Sequence, residues 1–303
     1  MVGWGAPLDM TILREVVAVF GPTASGKSEV ACELAIRLET EVISADALQV
    51  YRGLPILTNQ PTSPTRLVAI RNLAEEMSVG SYAELAVEAI DELVSNYGVA
   101  VIAGGTGLYL RAALVDLRVP RPPREGARAR LEASWDADRD AAHSRLTELD
   151  PRAATVVHPN DRRRVVRALE LAEAGSSLVP EVDRLWSEEY RRPTLVIGLE
   201  LPRDAIERRI RARTEEMFSR GVVEEVRRAC AGPVSRTAEK ALGLFELSQL
   251  PPDQAFERIV VRTRRYAAYQ RKWMRRIPGI VMIDADRNPT EVADAILEVA
   301  GAG

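Results

Sequence analysis

The chain has 303 residues, of which 46% are hydrophobic and 28% are charged, and its formal net charge is −3 at pH 7. This length predicts about two domains, or one domain with a large insertion, and the composition is ordinary for a globular protein. No apolar run reaches the ~18–20 residues of a membrane span, the first residues lack a signal-peptide pattern, and Cys32 and Cys230 fit no zinc-ligand spacing. We therefore expect a cytoplasmic protein without a membrane segment or zinc.

Arginines are concentrated in four parts of the chain although the net charge is negative. These parts are residues 118–130, 162–167, 203–213 and 262–276. A locally basic face on an acidic protein can hold RNA. For any single cluster a solvated helix face is the favoured interpretation, and RNA binding remains the alternative.

The first predicted strand, Val16 to Phe20, leads into a glycine-containing loop and then a helical pattern from Glu29 to Leu38. The loop reads G-P-T-A-S-G-K-S and matches the phosphate-binding pattern G-x-x-x-x-G-K-[ST]. The residues predicted to surround an anion are Gly21, Thr23, Ala24, Ser25, Gly26, Lys27 and Ser28. Glycines let backbone N–H groups turn inward, Lys27 supplies a positive charge, and Ser28 offers a hydroxyl ligand for Mg²⁺. The loop therefore predicts a phosphorylated ligand; the alternative is a chance glycine loop.

Asp46 follows a second short strand, Glu41 to Ser44. In a parallel α/β sheet, ligands bind outside the carboxyl ends of the strands. Asp46 would lie there, beside the phosphate-binding loop, where a general base is needed. A helix N-cap is the alternative role, because Asp is favoured at that position.

A helix is predicted over Ser81 to Asn96, and the next strand, Val99 to Ala103, ends in Gly104, Gly105 and Thr106. A P-loop enzyme that hydrolyses ATP is expected to carry a metal-binding Asp at this place. Its absence counts against ATP hydrolysis. It favours a site where the backbone and the Thr106 hydroxyl approach a ligand closely, or simply a tight turn.

The rest of the chain predicts a helical insertion and then a return to the sheet. A proline-rich break at 120–123 precedes helical patterns from Glu125 to Ala174, and a strand follows at Thr194 to Leu199. The later predicted elements are helices at 204–217, 221–229 and 252–276, a strand at 280–283 and a helix at 289–299. We therefore predict an α/β fold, with a P-loop parallel sheet flanked by helices and an inserted helical domain. The predicted parts are residues 1–120, 121–192 and 193–303.

Five stretches together resemble the tRNA dimethylallyltransferase family, also called tRNA isopentenyltransferases. They are G-P-T-A-S-G-K-S at 21–28, V-I-S-A-D-A-L-Q-V-Y-R-G-L at 42–54, A-G-G-T-G-L-Y-L at 103–110, D-P-R-A-A at 150–154 with N-D-R-R-R-V-V-R-A-L-E at 160–170, and T-R-R-Y-A-A-Y-Q-R-K-W-M-R at 263–275. They span nearly the whole chain, and no single fold constraint would produce all five in this order.

The resemblance implies transfer of a dimethylallyl group from its diphosphate to the exocyclic amine of the adenosine 3′ of the anticodon in tRNA. Asp46 matches the family's general base, and Thr106 matches a position that contacts both substrates. The loop residues together with Arg213 would bind the donor diphosphate, with Mg²⁺ on Ser28. The positions that match family RNA contacts are Asp46, Ala47, Leu48, Gln49, Thr106, Arg128, Arg163, Arg164 and Arg167. The implied partners are the tRNA anticodon stem-loop and dimethylallyl diphosphate, and we expect a monomer that does not bind membranes.

Three departures from the family pattern indicate a divergent member. The family's H-H-L is replaced by S-P-T-R-L-V-A-I at 63–70, its G-Y by Gly243-Leu244, and its K-R-Q by Ala268-Tyr269-Gln270. The alternatives are an adenylate isopentenyltransferase that acts on free AMP, ADP or ATP, and a non-catalytic RNA-binding relative. A small-molecule kinase is disfavoured because the Gly104-Gly105 strand end lacks a metal-binding Asp.

Overall fold

In a computed structural model of the chain, the described residues are 14–117, 126–180 and 183–301. Among these, six strands form one sheet in which every neighbouring pair is parallel. The strands are β1 (Val16–Phe20), β2 (Val42–Ser44), β3 (Thr65–Arg66), β4 (Ala100–Gly104), β5 (Thr194–Glu200) and β6 (Val281–Asp284). Their order across the sheet is β3-β2-β4-β1-β5-β6. The predicted α/β parallel sheet is confirmed.

Helices follow the strands and cover both faces of the sheet. In the α/β part they are α1 (Lys27–Arg37), α2 (Val79–Tyr97), α3 (Gly107–Leu114), α8 (Arg203–Ser219), α9 (Val222–Ala229), α10 (Leu244–Gln249), α11 (Pro252–Met274) and α12 (Pro289–Gly301). In the insertion they are α4 (Ala127–Ala137), α5 (Arg139–Leu149), α6 (Pro151–Val156) and α7 (Arg162–Glu173). No helix in the described ranges is both long and apolar enough to span a bilayer.

Strand β1 is buried along its whole length because it lies in the middle of the sheet. Its side chains alternate between two cores. Val17 and Val19 pack with residues of α1, α8 and α12, whereas Val16, Ala18 and Phe20 pack with residues of α2 and α3. A strand buried on both faces explains the continuous apolar run in the sequence.

The ends of β1, β2 and β4 meet at one edge of the sheet. Phe20 is in register with Gly104, and Ser44 is in register with Ala103. Parallel strands place all three following loops at the same edge, so residues remote in sequence converge there.

The described residues divide into two compact units. One comprises the residues up to Leu117 and those from Leu185 onward, and the other comprises the residues between them. The second unit has its own core, in which Leu131, Leu146 and Val165 are fully buried.

Residues 185–192 lie in the first unit, whereas the sequence analysis assigned them to the insertion. The reason is a set of contacts from this segment to the α/β unit. Arg111 is buried and donates to the carbonyl oxygens of Leu185 (2.7 Å) and Ser187 (2.6 Å). Tyr190 donates to the carbonyl of Pro278 at 3.0 Å. The proposed boundary at 120 falls outside the described residues.

Candidate active site

The phosphate loop, residues 21–28, connects β1 to α1 and has a backbone suited to holding an anion. Ala24 and Gly26 have positive φ angles of 66° and 85°, a backbone shape that turns successive N–H groups inward. Gly26 precedes α1 without a side-chain cap, which leaves the N–H groups of the first turn available to a ligand. Positive φ is strained for Ala24, and such strain is typical of functional sites.

Contacts inside the phosphate loop restrict which groups can reach a ligand. A Cβ atom on Gly21 would lie 2.5 Å from Oγ of Ser25, so glycine is required there. The buried Ser25 hydroxyl makes no hydrogen bond with any described residue. The N–H of Thr23 donates to Oε1 of Gln270 at 2.8 Å, which leaves the hydroxyl of Thr23, rather than its N–H, for a ligand.

Lys27 of α1 and Arg213 of α8 bring two positive charges close together. Burial lowers the pKa of each, the charge of Asp46 opposes that effect on both, and Arg213 lowers the pKa of Lys27 further. Neither cation makes an ion pair with a described residue. Two partly buried cations that repel one another are stabilised by a multiply charged anion. The loop and these side chains therefore suit a diphosphate.

Asp46 follows β2 at the same sheet edge. Its Oδ1 accepts the N–H of Leu48 at 3.0 Å, which closes an Asx-turn rather than capping a helix. Its other carboxylate oxygen makes no hydrogen bond within the described part of the chain. Asp46 therefore keeps one oxygen for a substrate.

Three phenols are near enough to Asp46 for its charge to affect their pKa values, and all three resist ionisation. Burial is the main cause, and the charge of Asp46 adds to it: the pKa of Tyr266 is raised to about 12, and those of Tyr82 and Tyr109 are also raised. The rings of Tyr82 and Tyr109 stack with centroids 4.0 Å apart. These phenols stay protonated at neutral pH, so none of the three can serve as a general base there.

The glycine turn, residues 104–107, joins the end of β4 to α3 and holds Thr106 beside Asp46. Oγ1 of Thr106 accepts the N–H of Ala47 at 3.1 Å, and its own N–H donates to the carbonyl of Ala45 at 3.3 Å. A Cβ atom on Gly104 would lie 2.1 Å from that carbonyl oxygen. Glycine therefore allows the two strand ends to approach closely and brings Thr106 to the residues around Asp46.

Gln49, a predicted RNA contact, has internal partners. Its Oε1 accepts the Ser44 hydroxyl at 2.8 Å, and its Nε2 donates to the carbonyl of Asn59 at 2.8 Å. It thereby supports the turns that follow Tyr51. Ala47 and Leu48 lie in the same loop as Asp46 and are partly exposed.

The segment that departs from the family's H-H-L forms the edge of the sheet. Thr65–Arg66 pairs with β2, and Arg66 forms ion pairs with Glu41 and Glu92. Leu67 and Ala69 follow with positive φ angles of 63° and 52°. The short strand escaped sequence analysis because two residues show no periodicity.

In the second unit, the four predicted RNA-contact arginines fall into two pairs. Arg128 and Arg167 bind the buried carboxylate of Glu170 at 3.2 Å and 3.1 Å. Arg163 and Arg164 are exposed and have no partner in the described part of that unit. The first pair stabilises helix packing, and the second pair is available to phosphate groups.

Sequence reasoning did not assign a role to Gln270 of α11, which is buried. Its Nε2 donates to the carbonyl of Gly105 at 2.9 Å, and Trp273 of the same helix packs on Gly107. The sequence does contain one indication of this role, because Gln270 is a polar residue within the apolar stripe of a helix. A buried amide is costly unless it is hydrogen-bonded, so partners for it are expected.

Among the described residues, no cluster of three or more His, Cys, Asp or Glu side chains could hold a metal. A divalent cation at the phosphate loop would therefore depend on the oxygens of a bound ligand together with the partly exposed Ser28. Mg²⁺ is commonly bound in this way, through few protein oxygens and substrate phosphates.

The chain is similar to a group of tRNA-modifying enzymes. A family profile described as IPP transferase matches residues 49–277, and one described as Isopentenyl transferase matches residues 14–73. The tRNA dimethylallyltransferase of Kineococcus radiotolerans is 36% identical over 94% of this chain and 96% of its own. That of Anaeromyxobacter sp. is 38% identical over 90% of this chain and 97% of its own.

Two solved structures resemble this fold over most of its length. The full-length tRNA isopentenylpyrophosphate transferase of Bacillus halodurans has a TM-score of 0.67 and 30% identity, with 95% of this chain and 96% of that chain covered. A eukaryotic dimethylallyltransferase acting on tRNA has a TM-score of 0.74 and 25% identity, with 90% and 74% covered.

Proposed function

The chain belongs to the IPP transferase family, and from this premise we propose that it is a tRNA dimethylallyltransferase. It transfers the dimethylallyl group of dimethylallyl diphosphate to the exocyclic N6 amine of the adenosine 3′ of the anticodon, and diphosphate is released. The observation that carries this proposal is the convergence of the cationic phosphate loop with Asp46 and Thr106 at one sheet edge.

The reaction joins the amine nitrogen to C1 of the dimethylallyl group as the bond from C1 to the diphosphate oxygen breaks. The nitrogen loses a proton, which the free carboxylate oxygen of Asp46 accepts. Lys27 and Arg213 offset the charge that develops on the departing diphosphate. Ser28 and the diphosphate oxygens would hold Mg²⁺, which supplies further charge stabilisation when it is bound.

Thr106 lies where it can contact both substrates. Its Oγ1 accepts the N–H of Ala47, in the loop that carries Asp46, and it precedes the first turn of α3. The Thr106 hydroxyl therefore orients a reacting group rather than taking up a proton. Because Asp46 is partly buried, the adenine must leave its stack to reach it.

Helix α11 supports the assignment of RNA as the acceptor. On one face its arginines are paired: Arg264 binds Glu207 at 2.8 Å, and Arg271 lies 3.8 Å from Glu200. On another face the exposed Arg265 and Lys272 have no acidic partner among the described residues, and they flank Tyr269. Tyr269 is 54% exposed. An exposed aromatic ring between unpaired cations suits a single-stranded nucleic acid.

The proposal extends to the site residues and the setting. The diphosphate lies against the phosphate loop and Arg213, and the tRNA contacts residues 46–48, Thr106, Arg163 and Arg164. Gln49, Arg128 and Arg167 act through internal contacts that shape these surfaces. We place the enzyme in the cytoplasm, where tRNA is modified, as a monomer.

A transfer assay tests the function. Purified protein with Mg²⁺ and labelled dimethylallyl diphosphate is given unmodified tRNA and, separately, AMP and ATP. We expect label in tRNA only. Label in the free nucleotide only would move the protein to the adenylate-modifying class. Label in neither substrate, with tRNA still bound, would leave a non-catalytic RNA-binding protein.

A further inference from the structure

Gln270 links the two loops that the reaction requires. Its Oε1 accepts the N–H of Thr23 in the phosphate loop at 2.8 Å, and its Nε2 donates to the carbonyl of Gly105 in the glycine turn at 2.9 Å. Only 2% of the residue is exposed. One side chain from α11 thus joins the loop after β1 to the turn after β4.

The position suits an amide. One atom must accept a hydrogen bond and its neighbour must donate one, which neither a carboxylate nor an apolar side chain can do. Gly105 also packs tightly against this amide, since a Cβ atom on Gly105 would lie 2.2 Å from Nε2 of Gln270. Glycine at 105 and glutamine at 270 therefore depend on each other.

The same amide is connected to the reacting groups. Tyr266, one helical turn earlier, lies close to both Thr106 and Gln270, and both affect the pKa of its phenol. Thr106 in turn accepts the N–H of Ala47, next to Asp46. A displacement of Gln270 would move the phosphate loop and Thr106 relative to one another.

We propose that Gln270 is a positioning residue for the transfer reaction: it sets the separation between the diphosphate in the phosphate loop and the acceptor groups Thr106 and Asp46. This inference rests on the proposed function. Reacting atoms must approach to about 3–3.5 Å, and a displacement of about 1 Å costs on the order of a hundredfold in rate.

Two single variants test the inference. Gln270→Met keeps the length of the side chain but removes both hydrogen bonds, and Gly105→Ala pushes the amide out of place while Gln270 remains. We expect each variant to lower kcat for tRNA about ten- to a hundredfold and to raise KM for dimethylallyl diphosphate. Affinity for tRNA should stay within about twofold. Gln254→Met, at an exposed position of the same helix, is the matched control and should resemble the wild type.

A double variant separates positioning from simple destabilisation. Gln270→Ala makes room for the Cβ atom of Ala at position 105. The double variant Gln270→Ala/Gly105→Ala should therefore have a kcat no lower than that of Gln270→Ala alone or of Gly105→Ala alone. Circular dichroism verifies that every variant is folded at the assay temperature. Multiplicative losses in the double variant, or wild-type kcat and KM in Gln270→Met, would overturn the proposal.

Binding of inorganic pyrophosphate provides a readout that does not depend on transfer. Calorimetry should find weaker binding to Gln270→Met than to the wild type, because the phosphate loop loses the bond at Thr23. Equal affinities would contradict the positioning role. An inactive wild type that still binds pyrophosphate more tightly than Gln270→Met would instead count against the proposed function alone.

Discussion

At the scale of single residues, Asp46 and the groups around it decide the chemistry. The raised pKa values of Tyr82, Tyr109 and Tyr266 keep these phenols neutral. The carboxylate of Asp46 is left to take the amine proton. Its Asx-turn bond to Leu48 fixes one oxygen and leaves the other for the substrate.

Asp46→Asn removes the proton acceptor but keeps the bond to Leu48. We expect transfer to fall by about 10²–10⁴-fold, with tRNA affinity nearly unchanged. Pyrophosphate affinity should stay equal or rise, because a negative charge near Lys27 and Arg213 is lost. Single-turnover kinetics and calorimetry measure these effects, with the exposed Asp253→Asn as control. An unchanged transfer rate in Asp46→Asn would refute the assignment of Asp46 as the general base.

Because of Lys27, diphosphate binding should weaken as the pH rises. Burial places its pKa below the ordinary lysine value in the free protein. Its charge therefore costs stability in full below that lowered pKa, and the cost disappears as the pH rises from the lowered pKa to the ordinary one. A bound diphosphate favours the charged form and raises the pKa again. We therefore expect proton uptake on binding, and affinity that weakens as the pH rises through the lowered pKa.

Calorimetry with pyrophosphate in two buffers of different ionisation enthalpy measures that proton uptake. Lys27→Met should bind more weakly and lose the uptake, whereas Lys272→Met, at an exposed position, should keep it. Equal uptake in the wild type and in Lys27→Met would assign the proton to another group.

At the scale of elements, the glycine turn shows how closely β2 and β4 must approach. Gly104→Ala would place a Cβ atom 2.1 Å from the backbone carbonyl oxygen of Ala45. Because the clash involves the backbone of two neighbouring strands, a side-chain rotation cannot relieve it. We expect a loss of about 2–3 kcal/mol in the free energy of unfolding. Chemical denaturation measures it. Gly232→Ala, which meets no atom within 4 Å, should change stability by less than about 0.5 kcal/mol.

The exposed face of α11 predicts a stacking contact. Tyr269→Ala should weaken tRNA binding by about 1–3 kcal/mol if a base stacks on the ring, with KM for dimethylallyl diphosphate unchanged. Tyr97→Ala provides the control, because Tyr97 is 45% exposed at the end of α2. Equal tRNA affinities for the two variants in a filter-binding assay would remove Tyr269 from the RNA surface.

Elements with a local signature were predictable, and elements fixed by distant partners were not. The phosphate loop and Asp46 were located from adjacent residues, because a motif or a strand end specifies them. The role of Gln270 depends on Thr23, which lies 247 residues away, and no spacing rule connects the two. The pairing of Arg128 and Arg167 with Glu170 likewise arises from helix packing.

At the scale of the whole molecule, tRNA binding should depend on salt through a few arginines. Arg163→Ala and Arg164→Ala remove exposed charges, so each should reduce the slope of log affinity against log salt by about 1. Arg128→Ala should leave the slope nearly unchanged but lower the stability of the second unit by about 1–3 kcal/mol, since it weakens the pairing of the buried Glu170. Titration of binding at several salt concentrations measures the slopes, and equal slopes for all variants would contradict the assignment.

The position of β1 has a consequence for how the protein is made. β1 lies between β4 and β5, and its Val16 is in register with Thr194. During synthesis on the ribosome, the phosphate loop emerges early, but its strand lacks one neighbour until the whole insertion and β5 have followed. The helices of the insertion pack on one another within residues 126–180, so the insertion can fold before β5 has been synthesised. We therefore expect the nascent chain to fold in the reverse of the order suggested by its sequence, with the inserted part first and the N-terminal loop completed last.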